Sequence, residues 1–145
     1  MLALMQHLSS LTLSKCTLAD SLDYLRQLLP LTSLDIGGSS FRSAEQPHTP
    51  HALTSLAHMT NLRQLSLPNT VINPATLSAI AQLHASLQAL NIAGCDGVGC
   101  QDLALLVALT QLTQLQLSLF HLTHSQPWQD EHIVAGLIPH ISAYV

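Results

Sequence analysis

The sequence holds few charged and few aromatic residues, 8% and 3% of its 145 positions. Four Lys and Arg stand against eight Asp and Glu, a formal net charge of -4. Such a chain offers no basic patch for a phosphate backbone, so we expect no nucleic-acid partner. With so few aromatic rings, the core must be built from aliphatic side chains, and the hydrophobic content of 48% is sufficient for that.

Long apolar runs and paired cysteines are also missing. Every apolar run is interrupted by Ser, Thr, Gln or His before the ~20 residues that a membrane-spanning helix needs. The apolar start of the chain has no basic flank and too short an apolar run for a signal peptide. Cys16, Cys95 and Cys100 form neither a disulfide framework nor a metal-type pair of pairs. We therefore expect no membrane partner and a reducing, cytoplasmic or nuclear location.

What the sequence does contain is the pattern Leu-x-x-Leu-x-Leu/Ile in five copies. The copies begin at Leu8, Leu31, Leu62, Leu87 and Leu112. Self-similarity at such an interval is typical of a stacked repeat array, in which each repeat buries its apolar face against its neighbours. Arrays of this kind usually work by presenting a surface.

Each copy predicts a strand, a turn and a helix. The fourth and sixth positions of the pattern alternate with polar residues, as in Leu65-Ser66-Leu67, which is the period of a half-buried strand. After the strands come segments whose apolar residues lie three apart and share one helical face. These are Leu22, Leu25 and Leu28; Leu77, Ile80 and Leu83; and Leu103, Leu106 and Leu109. A crossover helix between parallel strands predicts an α/β solenoid with one parallel sheet and helices behind it.

Local signals mark helix starts and an insertion. Asn73 and Thr49 each stand directly before a proline, an arrangement suited to a helix N-cap, and Asp20 is a further candidate cap. The interval between the second and third copies is longer than the others, which predicts a loop on the rim of the array at about residues 39–48. We expect residues 1–145 to form a single domain.

The two ends of the sequence lack the polar cap that terminal repeats normally carry. A helix-to-strand junction recurs at Ile138-Pro139-His140-Ile141, which predicts that the chain stops inside a sixth strand. We therefore expect a piece of a longer array, with self-association through unpaired strand edges as one consequence.

These residues resemble the leucine-rich-repeat family, and within it the cysteine-containing, ribonuclease-inhibitor-like subtype common in F-box/leucine-rich-repeat proteins. One copy carries the resemblance best: Leu87-x-x-Leu90-x-Ile92-x-x-Cys95-x-x-Val98, followed by Leu103 and Leu106. The cysteine position holds Cys16 in the first repeat and Ser39, Thr70 and Phe120 in the others. The resemblance implies a right-handed α/β horseshoe segment, a parallel sheet on the concave face, helices on the convex face, and small turn side chains that satisfy backbone groups.

A metal or enzymatic function is the rival interpretation. His121, His124 and His132 form the best histidine cluster, but zinc needs three or four converging ligands and no cysteine pair or fixed acidic partner completes the set. His48 and His51 are a weaker pair. A histidine-dependent metal-binding or enzymatic protein remains the alternative, beside a truncated array with no independent function.

Two further motifs resemble parts of a reactive-thiol site and of a phosphate-binding loop, but each lacks a required element. Cys100 could be a reactive thiol at a helix N-terminus, but no base has a defined relation to it. The glycines of Gly94-x-x-Gly97-x-Gly99 precede a helix but lack the Gly-Lys-Ser/Thr ending of a phosphate loop. We therefore predict no catalytic residue, no metal ligand and no cofactor.

The surface that the repeat predicts is the concave face of the sheet. The residues between the strand aliphatics point outward and form a row: Thr12, Asp35, Ser66, Asn91 and Gln116. A flanking row is Ser10, Ser33, Gln64, Ala89 and Gln114. From these rows we select Thr12, Asp35, Gln64, Ser66, Asn91, Gln114 and Gln116 as candidate protein-binding residues. The sequence thus favours a non-catalytic module that binds a protein partner, and the resemblance implies a narrower role in substrate recognition by a cullin-type ubiquitin ligase.

Overall fold

A computed structural model describes residues 7–18, 22–28, 30–41, 51–97 and 99–117 of the chain. The strands in chain order are β1 (Ser10–Thr12), β2 (Thr17–Leu18), β3 (Ser33–Asp35), β4 (Ser40–Phe41), β5 (Gln64–Ser66), β6 (Ala89–Asn91) and β7 (Gln114–Gln116). Five of them form one sheet in the order β1-β3-β5-β6-β7, and every neighbouring pair in it is parallel. Each of the five predicted strands is therefore confirmed.

The register of this sheet places equivalent repeat positions side by side. The central leucines are all partners across the ladder: Leu11, Leu34, Leu65, Leu90 and Leu115. The ladder continues past the strands into the turns, where for example the Leu13 N–H donates to the Asp35 carbonyl at 2.7 Å. Adjacent repeats are thus joined by backbone hydrogen bonds that leave the side-chain rows in line.

A second, smaller sheet follows the turns. Here β2 pairs with β4 in parallel, and an isolated parallel bridge joins Val71 to Asp96 in the two later repeats. Ser39 lies in the turn before β4, so residues 39–41 belong to the repeat itself and any insertion begins after Phe41. The remainder of the predicted rim insertion, residues 42–48, lies outside the described residues.

Helices follow the turns at the predicted places, but most are of a different kind from the α-helix. Only Pro74–Ala81, here called α1, is an α-helix among the described residues. The other segments, Asp23–Gln27, His51–His58 and Cys100–Ala108, are 3₁₀ helices. None of the helices in these residues has the length and hydropathy of a membrane span.

The spacing of buried residues explains the two helix types. In Cys100–Ala108 and the residue that follows it, Leu103, Leu106 and Leu109 are buried, an interval of three that matches the 3.0 residues per turn of a 3₁₀ helix. In α1, Thr76 and Ala79 are buried beside Leu77 and Ile80, which gives the broader stripe of a 3.6-residue period. A stripe of three-residue spacing alone therefore does not require an α-helix.

Two of the described helix starts have side-chain hydrogen bonds to their first turn, whereas Leu22, which precedes Asp23–Gln27, makes no such cap. The Asn73 side-chain oxygen accepts the Thr76 N–H at 2.8 Å and the Thr76 hydroxyl at 3.0 Å, and Pro74 takes the first helical position, as predicted. At the next helix start, Asp102 Oδ2 accepts the Gly99 N–H at 2.9 Å. The predicted caps at Thr49 and Asp20 lie outside the described residues.

The core is a stack of aliphatic layers between the sheet and the helices. Leu34, Leu65 and Leu90 point inward from three successive strands and are at most 2% exposed. Burial of each such side chain contributes roughly 1.5–3 kcal/mol, so the repeated leucines are the main source of stability. On the helix side, the Ser55 hydroxyl donates to Asp23 Oδ1 at 2.9 Å and links two adjacent repeats.

The four turns that directly follow β1, β3, β5 and β6 pass through the left-handed backbone region at the same repeat position. The residues there are Lys15 (φ 57°), Gly38 (φ 65°), Asn69 (φ 54°) and Gly94 (φ 68°). Glycine and asparagine tolerate this region, whereas lysine is uncommon in it. The turn geometry is therefore set by the repeat and imposed on whichever residue occupies the position.

Candidate protein-binding face

The parallel register gathers the third and fifth residues of each repeat pattern on the side of the sheet away from the core. We call these ten residues the exposed sheet face. One row is Ser10, Ser33, Gln64, Ala89 and Gln114, and the other is Thr12, Asp35, Ser66, Asn91 and Gln116. All seven sequence-predicted binding residues lie in these rows, in the predicted order.

The face is polar and nearly uncharged. Its only charged residue is Asp35, and neither row holds a lysine, an arginine or an aromatic residue. With strands about 4.8 Å apart, the five strands make each row roughly 19 Å long. The face therefore offers hydroxyl and amide groups for hydrogen bonding and no apolar anchor of its own.

Exposure varies along the rows. Gln64, Gln114 and Gln116 are exposed, whereas Ala89 is half-buried. Ala89 is the register partner of Gln64 on one side and of Gln114 on the other, so a methyl group lies between two long amide side chains. This arrangement makes a shallow notch in the otherwise continuous polar row.

Two of the predicted residues also hold the turns together. Asp35 Oδ1 accepts the Gly37 N–H at 2.9 Å, and Asn91 Oδ1 accepts the Ala93 N–H at 3.0 Å. In both cases the side-chain oxygen accepts a hydrogen bond from the backbone N–H two residues later in the chain, as Asp and Asn commonly do at turns. Sequence reasoning missed this structural role, although an Asp or Asn two residues before a turn is the signal that would indicate it.

The side of the face that borders the turns is closely packed. A Cβ atom added to Gly37 would lie 2.6 Å from Pro68 Cγ of the next repeat, a separation that real Cβ contacts do not reach. Gly37 is therefore required by the close approach of the two repeats. The resulting edge has little room for side-chain rearrangement, so the face keeps its shape.

Behind the turns, two of the small residues at the cysteine position, Ser39 and Cys95, bond to the preceding repeat. The Ser39 hydroxyl donates to the Leu13 carbonyl at 2.7 Å and accepts the Cys16 N–H at 3.1 Å. The Cys95 thiol donates to the Leu67 carbonyl at 2.9 Å. Serine and cysteine thus make equivalent hydrogen bonds at this position, to backbone groups of the turn that the strands leave unpaired.

Cys16, at the same repeat position, is less buried than Cys95. It is half-buried, and its thiol donates to the carbonyl of Ser14 in its own turn at 3.5 Å. The Thr70 hydroxyl likewise donates to a carbonyl of its own turn, that of Pro68, at 3.4 Å. Residues at the cysteine position therefore bond either to the preceding repeat or to their own turn.

Cys95 is a structural thiol held in its protonated form. Its pKa is raised from 9.0 to about 11, chiefly by burial; the hydrogen bond from the Thr70 backbone lowers the pKa and the charge of Asp96 raises it. A thiolate is the reactive form of cysteine, so Cys95 is unreactive at neutral pH. Burial also raises the pKa of Tyr24, with a smaller contribution from Cys16.

The remaining candidate sites are the histidine clusters and Cys100. Within residues 7–18, 22–28, 30–41, 51–97 and 99–117, no group of three His, Cys, Asp or Glu side chains could hold a metal ion. His121, His124, His132 and His48 lie outside the described residues. Cys100 is the first residue of a 3₁₀ helix, the position considered for a reactive thiol.

Comparisons with known proteins address the fold. No protein-family model and no curated protein matches the chain. The crystal structure of an internalin (inlF) from Listeria monocytogenes str. 4b F2365 is similar with a TM-score of 0.70 and 23% identity, over 99% of this chain and 37% of the internalin chain. The LRR ectodomain of the plant membrane receptor kinase GASSHO1/SCHENGEN3 from Arabidopsis thaliana, in complex with CASPARIAN STRIP INTEGRITY FACTOR 2, gives a TM-score of 0.43 and 20% identity, over 81% of this chain and 16% of that one.

The internalin similarity concerns the fold alone, and this chain spans little more than a third of that protein. It agrees with the stacked strand-turn-helix units and with the Leu-x-x-Leu-x-Leu/Ile pattern that runs through their core. The F-box-type subtype stays a prediction. The chain therefore folds as a segment of an α/β leucine-rich-repeat solenoid, with one parallel sheet on one side and helices on the other.

Proposed function

We propose that the protein is a non-catalytic interaction module that binds a protein partner through the exposed sheet face. The observation that carries the proposal is the alignment of ten outward residues in two rows on a sheet whose other side packs against the aliphatic core. Because the stacked core already orders the backbone beneath these side chains, binding costs the sheet little further backbone conformational freedom.

The size of the face indicates the form of the partner. Two rows roughly 19 Å long and about 7 Å apart present on the order of 250 Å² once side-chain width is included. A standard protein interface buries about 800 Å² on each partner, so this face alone matches an extended segment better than a folded domain. An extended peptide advances about 3.3 Å per residue, so roughly six residues cross the five strands.

The chemistry of the face indicates how that segment is held. Exposed Gln64, Gln114 and Gln116 each provide both a hydrogen-bond donor and an acceptor, as a peptide backbone requires. Binding hot spots are usually Trp, Tyr or Arg, and none stands in the two rows. The partner must therefore supply any large anchoring side chain, with the notch at Ala89 as a place for part of it.

Co-purification tests the proposal. The full-length product is isolated from its own cells in two forms, unaltered and with Gln64→Arg and Gln116→Arg. Both positions are exposed and hold no described turn bond, whereas Asn91 is left intact because it accepts the Ala93 N–H. A matched control carries Ser78→Arg on α1 and Gln82→Arg directly after its end, both at exposed positions.

We expect at least one co-purifying protein to be lost from the face variant and retained by the control variant. Thermal melts must first show that the two variants are equally folded. A set of co-purifying proteins that is unchanged in the face variant would count against binding through the exposed sheet face.

A narrower version of the proposal is substrate recognition within a cullin-type ubiquitin ligase. Its support is the sequence pattern from Leu87 to Val98 with its cysteine at position 95. It predicts that cullin-ligase subunits co-purify with both the unaltered protein and the face variant, because a substrate-recognition subunit joins the ligase through a different surface. Their absence from both samples would reject the narrower version and leave the general one.

We also propose a reducing compartment. The support is the thiol of Cys95, which donates to the Leu67 carbonyl as a free group inside the turn. Structural thiols of this kind are common where glutathione keeps cysteines reduced. Microscopy of the tagged full-length protein tests this, with a cytoplasmic or nuclear signal expected.

A further inference from the structure

The exposed sheet face carries one charged residue. Asp35 is the second of the five residues in its row, with the hydroxyl residues Thr12 and Ser66 as its register partners and Ser33 two residues before it on β3. Neither row contains a lysine or an arginine that could neutralise it. The only formal charge on the face is therefore negative and surrounded by hydroxyl groups.

Local geometry holds this carboxylate in place. Its Oδ1 atom accepts the Gly37 N–H at 2.9 Å, which fixes the side chain against its own turn. Gly37 in turn packs against Pro68 so closely that no Cβ would fit, so the turn cannot relax easily. The residue is half-buried, and its second oxygen accepts no hydrogen bond from the described residues.

A segment laid across the face would remove water from Asp35. Burying a carboxylate without a partner is costly, because the lost hydration is not replaced. A Lys or Arg side chain at that point replaces the hydration with a charge-assisted hydrogen bond, and Arg can donate two. An acidic side chain at the same point adds repulsion to the desolvation cost.

We propose that the occupant of the exposed sheet face is an extended peptide segment of a partner protein that places a lysine or arginine side chain on Asp35. This rests on the proposed function and adds the charge of the partner to it. The hydroxyl and amide groups around Asp35 then bind the backbone and neutral polar side chains of the segment.

The test uses the whole chain and a display library of random nine-residue peptides. Peptides that bind the unaltered protein are counter-selected on a variant with Gln64→Tyr and Gln116→Tyr, which blocks the face without adding charge and so keeps the peptides that need the face. The affinity of the best peptides is then measured by fluorescence polarisation for the unaltered chain, Asp35→Asn and Asp23→Asn. The Asp35→Asn change removes the charge but keeps an oxygen for the Gly37 N–H.

Asp23 is the matched control because it is exposed on the helix side, and an asparagine there keeps an acceptor for the Ser55 hydroxyl. We expect Lys and Arg to be enriched at one position of the selected peptides. We expect Asp35→Asn to weaken binding about tenfold, as for a charge-assisted hydrogen bond at a half-buried site, while Asp23→Asn changes it less than twofold. Added salt weakens binding to the unaltered chain more than to Asp35→Asn.

Face-dependent peptides that are neutral or acidic, or that bind Asp35→Asn as tightly as the unaltered chain, would overturn the inference and leave the proposed function standing. A selection that returns no face-dependent peptide would count against both. A loss of affinity in Asp23→Asn equal to that in Asp35→Asn would show a general charge effect and also overturn the assignment to Asp35.

Discussion

The junction between the third and fourth repeats predicts a large difference between two glycine-to-alanine substitutions. Gly97 has φ +88°, and a Cβ atom built there would lie 2.3 Å from the backbone carbonyl oxygen of Ile72. Gly38 has φ +65°, and the nearest atom to its added Cβ is the flexible Lys15 Cγ at 3.5 Å. Both positions are exposed, so the two changes share the strain of a left-handed alanine and differ in the clash.

The magnitudes follow from these distances. A left-handed conformation costs an L-residue about 1–2 kcal/mol, partly offset by the lower entropy of the unfolded chain when glycine is replaced. Gly38→Ala should therefore lower the free energy of unfolding by roughly 1 kcal/mol. In Gly97→Ala the backbone segments at residues 97 and 72 must move apart by about 1 Å before the new Cβ reaches an ordinary contact distance from the Ile72 carbonyl oxygen. This movement breaks the hydrogen bond from the Ile72 N–H to the Asp96 carbonyl. We expect a loss of about 3 kcal/mol.

Urea unfolding followed by circular dichroism measures both values, with equal m-values required for a valid comparison. Gly97→Ala should unfold at a clearly lower urea concentration than Gly38→Ala. If the two variants differ by less than about 0.5 kcal/mol, the difference is within the range of ordinary surface substitutions. The close approach of Gly97 to Ile72 would then be refuted, and with it the tight stacking of these repeats.

Two further predictions concern single side chains. The pKa of Cys95 is raised from 9.0 to about 11, so from pH 9 upward the unfolded chain releases the thiol proton while the folded chain keeps it. The contribution of the protonated Cys95 thiol to the free energy of unfolding is therefore complete below pH 9. This contribution is lost as the pH rises toward 11, at up to about 1.4 kcal/mol per pH unit. Denaturation at several pH values measures the difference in free energy of unfolding between the unaltered protein and Cys95→Ser. This difference should fall with that slope above pH 9, and a difference that does not change with pH would contradict the prediction. Asn73→Ala removes the acceptor of two hydrogen bonds from the fully buried Thr76 and should lower the free energy of unfolding by about 1–2 kcal/mol. Asn73→Ser keeps a side-chain oxygen and should retain most of this stability. Equal losses of stability in both variants would argue against the cap.

Much of the fold could be predicted from the sequence because one constraint repeats five times. The inward leucine and the polar residues beside it alternate with period two, which determines the strand and its outward side chains. The parallel stacking of identical units then determines the register. For this reason the two rows of the exposed sheet face, from Ser10 to Gln116, were predicted position by position.

The helix type and the turn details could not be predicted in the same way. Buried residues three apart, such as Leu103 and Leu106, are compatible with both an α-helix and a 3₁₀ helix, and packing decides between them. The left-handed conformation at Lys15 has no local signal, because lysine rarely adopts it and only the neighbouring repeat requires it. The bonds from Asp35 and Asn91 to their own turns depend on that same turn geometry.

The most direct test of a protein-binding sheet face is site-specific photo-cross-linking in the native cell. A benzophenone amino acid replaces Gln114 on the face in one variant and Ser78 on the helix side in another, both exposed positions. We predict that illumination gives a discrete cross-linked protein from Gln114 and none from Ser78. Cross-links only from Ser78, or none from either position, would contradict binding through the exposed sheet face.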